Sequence, residues 1–108
     1  MKLIVTIVQD KDSGRLSSAF IDADIRATKL SSTGGFLRSG NTTFLIGIDD
    51  ERVDEVLAII KDVSRKRQEY MNPSVNADSP IEAATYPIEV EVGGATVFVL
   101  PVERFLHF

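Results

Sequence analysis

The sequence predicts an α+β domain of the split β-α-β, ferredoxin-like type, with an extra C-terminal strand. Three observations carry this. The chain has 108 residues, enough for one hydrophobic core and too few for two. Its apolar residues switch between period two and period 3.6 in the order strand, helix, strand, strand, helix, strand, strand. Its composition, 44% hydrophobic and 26% charged, is that of an ordinary globular protein.

Lys2–Gln9 (KLIVTIVQ) is β-branched and apolar on both faces, which reads as a central strand. Asp10–Gly14 follows as a turn with helix-capping residues. Leu16, Phe20 and Ala23 fall at helical spacing, so a first helix is expected over about Ser13–Ala23. Ile25–Ser32 and Thr42–Ile48 read as strands, joined by the glycine-rich stretch Thr33–Asn41. Asp49-Asp50-Glu51 opens a second helix with acids where the dipole favours them. Val53, Val56, Leu57, Ile60 and Val63 form its single apolar stripe, and Arg65-Lys66-Arg67 is expected to close it. Gln68–Thr85 is polar, holds Pro73 and Pro80 and has no sustained period, so it is expected to be a long flexible loop. Tyr86–Val92 and Ala95–Val102 read as strands joined by a Gly93-Gly94 hairpin turn, and Glu103–Phe108 is a tail. Helices on one face of such a sheet leave the other in need of cover, and the simplest cover is another copy of the chain.

Composition excludes much chemistry. With no Cys and one His near the C-terminus, thiol catalysis, zinc fingers and a Ser-His-Asp triad are not expected, nor is any metal. No apolar run approaches the roughly 18 residues of a membrane span, and Met1-Lys2-Leu3 lacks the apolar core of an export signal, so a cytoplasmic protein is expected. The net charge of −4 is uneven: residues 1–40 hold six Lys/Arg against four Asp/Glu, residues 41–108 six against twelve. Ile25 to Ile48 carries Arg26, Lys29 and Arg38 and no acid. Such an island suits a small anion better than DNA or RNA, which require many phosphate contacts.

The island holds the densest cluster of candidates: Arg26 and Thr28, then Gly35, Phe36 and Leu37, then Asn41 and Gly47. A guanidinium and a hydroxyl suit a phosphate, and bare glycine backbone lets N–H groups approach an anion. A ring after Gly34-Gly35 is placed to stack on a base, and an amide matches an adenine edge. No GxGxxG or GxxxxGK[ST] motif is present, so an ordinary Rossmann or P-loop site is excluded. Each residue also has a plainer reading: the glycines as turn-formers, Phe36 as a core ring, Arg26 as a surface cation, Gly47 as a bulge.

Four stretches resemble the PII-like cyclic di-AMP receptor proteins of Gram-positive bacteria: Ile7–Asp10, Phe20 to Leu30, Thr33–Phe44 and Val90–Pro101. The resemblance covers nearly the whole chain and is weakest in Lys61–Thr85 and the tail. It implies a homotrimer of ferredoxin-like subunits with one ligand site at each subunit boundary and no catalysis or cofactor. Carried over by position, Arg26 and Thr28 would engage the phosphate–ribose ring while Gly35, Phe36 and Leu37 close over it. Asn41 and the Gly47 backbone would recognise an adenine, and Phe98 would line the pocket. Ligand binding would order the loops and signal to a downstream protein that the sequence does not identify. Two other readings stand beside it. One is a small phosphatase of the acylphosphatase type, with Arg26 clamping phosphate and Asn41 positioning water; the other is a trimeric adaptor that needs no nucleotide.

Overall fold

The computed structural model describes residues 1–31, 40–71 and 88–108. Eight elements run in the order β1 (Lys2–Gln9), α1 (Asp10–Asp22), β2 (Thr28–Ser31), β3 (Asn41–Ile48), α2 (Val53–Ser64), β4 (Arg67–Met71), β5 (Ile88–Val92) and β6 (Ala95–Pro101), with a short 3₁₀ turn at Asp50–Arg52 leading into α2. A four-stranded antiparallel sheet has the order β2-β3-β1-β6, and β4 pairs with β5 in a second sheet of two strands.

The first sheet is the split β-α-β arrangement, with one correction. The C-terminal strand is not extra. β6 is the fourth strand of the ferredoxin sheet, and the added pair β4–β5 is inserted before it. The position beside β1 has apolar neighbours on both faces, which Ala95–Pro101 (ATVFVLP) satisfies. The charged Glu89 and Glu91 of β5 (IEVEV) would break one of those faces. Gly93-Gly94 is accordingly no hairpin turn. Both residues have positive φ, as a Gly-Gly pair suggests, but they carry the chain from one sheet to the other.

Alternation in β1 divides the molecule. Ile4, Thr6 and Val8 are buried under the helices, packed with Leu16, Phe20, Phe44, Ile46, Val56 and Ile60. The Phe20 and Phe44 rings meet edge-to-face at 5.7 Å, a favourable aromatic geometry. Leu3, Val5 and Ile7 point the other way, to a face that no helix among the described residues covers, where Leu30, Phe98 and Leu100 are exposed.

Four boundaries differ from expectation. Helix α1 begins at Asp10, directly from extended Gln9, because the Asp10 N–H finds a partner in the Gly40 carbonyl at 2.7 Å. Helix α2 ends at Ser64, and Arg67 is in β4, where its guanidinium meets Asp12 at 2.7 Å instead of the helix carbonyls. The start of the expected loop Gln68–Thr85 is strand β4, whereas 72–85 lies outside the described residues. β2 begins at Thr28, so Arg26 precedes the strand.

Candidate functional site

Helix α1 is closed by Asp24, two residues past its last turn, whose φ of 58° reverses the chain. The Asp24 N–H donates to the Ile21 carbonyl at 3.0 Å and the Ile25 N–H to the Phe20 carbonyl at 2.8 Å, a Schellman closure with Ile25 and Phe20 both in the core. Arg52 seals it, donating to the Ala23 carbonyl at 2.8 Å and to the Asp24 carbonyl at 3.3 Å. Arg26 and Thr28 emerge from this fixed corner, both exposed. They line a hollow of about 450 Å³ with Ile21, Asp24, Ile25 and Ala27. That volume is of small-ligand size.

Register places the other candidates. Thr28 lies opposite Leu45, Leu45 opposite Val5, and Val5 opposite Phe98, so Thr28 and Phe98 sit in one row across the whole sheet. Residues directly opposite in such a ladder share a face, here the uncovered one. Gly47 belongs to the next row, opposite Leu3, where a β-carbon would meet nothing within 4 Å. Three strand spacings separate Thr28 from Phe98, about 14 Å. One chain therefore carries these candidates on both edges of one open face.

Asn41 starts β3, opposite Gln9, about 13 Å along the strand from Leu45. It lines a different hollow of about 380 Å³, with Gln9, Lys66, Gly93, Gly94 and Thr96 among its walls. A third hollow, of about 340 Å³, lies between α2 and β6 under Lys61, Arg65 and Lys66, and none of the candidates lines it. Arg26 and Asn41 do not share a hollow within one chain, so the clamp-and-water pair of a small phosphatase is not assembled by these residues alone. Gly35, Phe36 and Leu37 lie outside the described residues.

The structure adds residues that sequence reasoning passed over. Asp10 was expected only as a turn residue. Its N–H donates to the Gly40 carbonyl and its carboxylate accepts the Thr42 hydroxyl, with Oδ2 about 3.0 Å from where a β-carbon on Gly40 would stand. Gly40, at φ 65°, has the conformation this closure needs. Gln9 accepts the Gly93 N–H at 2.8 Å while its backbone faces Asn41. The one available signal was positional: two polar residues ending an apolar strand.

Asp12, also unremarked, has a fully buried side chain. Burial pushes its carboxyl up, but the hydrogen bond and charge of Arg67, followed by those of Arg15, more than offset this and hold it below the ordinary carboxylate value. Among the described residues no group of three or more His, Cys, Asp or Glu could hold a metal, and no helix is long and apolar enough to cross a membrane.

The chain is similar to a functionally unknown protein from Pediococcus pentosaceus ATCC 25745, whose crystal structure it matches with a TM-score of 0.81 and 60% identity, over 99% of this chain and 96% of that one. The family model described as cyclic-di-AMP receptor matches residues 1–108. With every residue of the chain inside that match, this protein belongs to the cyclic-di-AMP receptor family.

Proposed function

We propose that this protein is a cytoplasmic sensor that binds cyclic di-AMP between copies of itself, as a homotrimer, and signals without catalysis or a cofactor. The ligand-binding residues in this reading are Arg26, Thr28, Gly35, Phe36, Leu37, Asn41, Gly47 and Phe98. Family membership supports the ligand. One observation supports the shared site: Thr28 and Phe98 share the uncovered face but stand at its opposite edges. A second copy laid against that face brings the Phe98 edge of one chain beside the Arg26–Thr28 edge of the next.

The chemistry of each edge fits a cyclic dinucleotide. Arg26 supplies a charge-assisted hydrogen bond to a phosphodiester. Gly47, with open space above it, lets a ligand lie on bare backbone. Phe98, 52% exposed, offers a ring to an adenine. The signal is then a difference in ligand contacts between ordered and open states of the chain.

Calorimetry against cyclic di-AMP, cyclic di-GMP and linear nucleotides tests this. Saturable heat with cyclic di-AMP alone, and recovery of the ligand intact, is the expected result. Absence of that heat, or turnover of the ligand or of an acyl phosphate, overturns the sensor reading. Capture of a partner that is indifferent to nucleotide favours the adaptor reading.

A further inference from the structure

Gly40, Asn41 and Thr42, at the start of β3, are bonded to the root of the β4–β5 sheet through one short segment. On the β3 side, the Asp10 N–H donates to the Gly40 carbonyl, the Thr42 hydroxyl donates to the Asp10 carboxylate, and Gln9 pairs with Asn41 in the sheet. On the other side, Lys11 Nζ meets Glu69 Oε1 at 2.8 Å and Arg67 Nη2 meets Asp12 Oδ1 at 2.7 Å, so both β4 residues are held. Gln9 Oε1 holds the Gly93 N–H at the exit of β5. Four consecutive residues thus touch the start of β3, strand β4 and the residue that follows β5.

We propose that Gln9–Asp12 is the positioning junction through which ligand occupancy at Asn41 sets the order of the β4–β5 sheet. The inference rests on the cyclic di-AMP reading and adds the route by which binding is transmitted. The physical reason is stiffness. Gln9 ends a central strand and Asp10 starts a helix with no intervening turn, so the segment cannot absorb a displacement by bending. A shift of Gly40 or Asn41 must either stretch the Asp10 bonds or move the start of α1. Moving α1 carries Lys11 and Asp12 with it, and with them Glu69 and Arg67. Arg67 is the lever on the receiving side, because its guanidinium also donates to Glu69 and to the Arg65 carbonyl at the root of β4.

Amide hydrogen exchange with and without saturating cyclic di-AMP tests the junction. In the parent, ligand should slow exchange at 67–71 and 88–92 about 5-fold or more, the scale of ordinary coupling between sites. In Arg67→Gln, the slowing at 67–71 should fall below about 2-fold, with binding and the protection of 41–46 retained. If circular dichroism shows that Arg67→Gln does not fold, Asp12→Asn, which weakens the same ion pair from the α1 side, takes its place with the same expectation. Full slowing retained at 67–71 in the folded variant overturns the junction. So does a parent that binds cyclic di-AMP with no change in the second sheet. A parent that binds no cyclic di-AMP overturns the ligand assignment and removes the junction's input with it.

Discussion

At the scale of single residues, the candidates separate by the physical term each supplies. A base on an aromatic ring contributes about 1–3 kcal/mol, so Phe36→Ala should weaken cyclic di-AMP binding about 5- to 150-fold with little salt dependence. Arg26→Ala should cost at least as much and flatten the salt dependence, because a phosphate contact has been removed. Asn41→Ala should erode the preference for adenine over guanine. Calorimetry at two ionic strengths reads all three, and parent-like binding by both Phe36→Ala and Arg26→Ala places the pocket elsewhere. Asp24 makes a different kind of test. An L-residue in the left-handed region costs about 1–2 kcal/mol, and glycine gives back part of that in unfolded-state freedom. Asp24→Gly should therefore raise stability by about 0.5–1 kcal/mol, whereas Asp24→Ala should lower it; chemical denaturation measures both.

At the scale of elements, the Asp12–Arg67 pair decides how the second sheet is held to the first. The carboxyl has a lower pKa folded than unfolded, so its contribution is complete above the ordinary value of 3.8 and is lost as pH falls through the folded pKa. Asp12→Asn should cost about 2 kcal/mol near neutral pH, the range of a hydrogen bond to a charged group. It should also make the stability curve flatter below pH 3.8, where the parent loses this contribution. An acid limb unchanged by the substitution would show that the pair does not hold the sheet. The same elements show what a sequence can tell. β1 is legible to the residue because Lys2–Gln9 carries its own pattern on both faces. β4 is not, because Arg67–Met71 (RQEYM) has no alternation of its own and gains its place from pairing with β5 across sixteen intervening residues. Gly93-Gly94 announced positive φ correctly, but a turn signature is local and says nothing about which strand its neighbours will join. The pattern puts Arg26 in a strand and Asn41 in a connection, whereas Arg26 precedes β2 and Asn41 opens β3, and the two hollows that hold them became visible only with the register.

At the scale of the whole molecule, the uncovered sheet face is the controlling feature. Leu3, Val5, Ile7 and Leu45 line it together with exposed Leu30, Phe98 and Leu100. An apolar surface of this continuity marks an interaction site. Light scattering at micromolar concentration should give close to three times 11.9 kDa. Val5→Glu places a charge at the centre of the face and leaves the helix-side core untouched, so it should yield folded monomers that no longer bind cyclic di-AMP. Monomers that bind as tightly as the parent would show that one chain suffices for the site.

The bond from the Gly94 N–H to the Ser64 carbonyl has a consequence for modularity. The chain leaves α2 after Ser64 and enters β6 just past Gly94, and this bond closes the neck between them. The described residues between them contribute no strand to the main sheet. Chain ends this close can be spliced by a few glycines, since a short closure adds little entropic cost. A spliced variant lacking residues 66–93 should therefore keep the four strands, both helices and the Arg26–Thr28 corner, and should still take up the nucleotide. It would be a receiver with its transmitter cut away, and loss of all structure on splicing would show instead that the removed segment is part of the foundation.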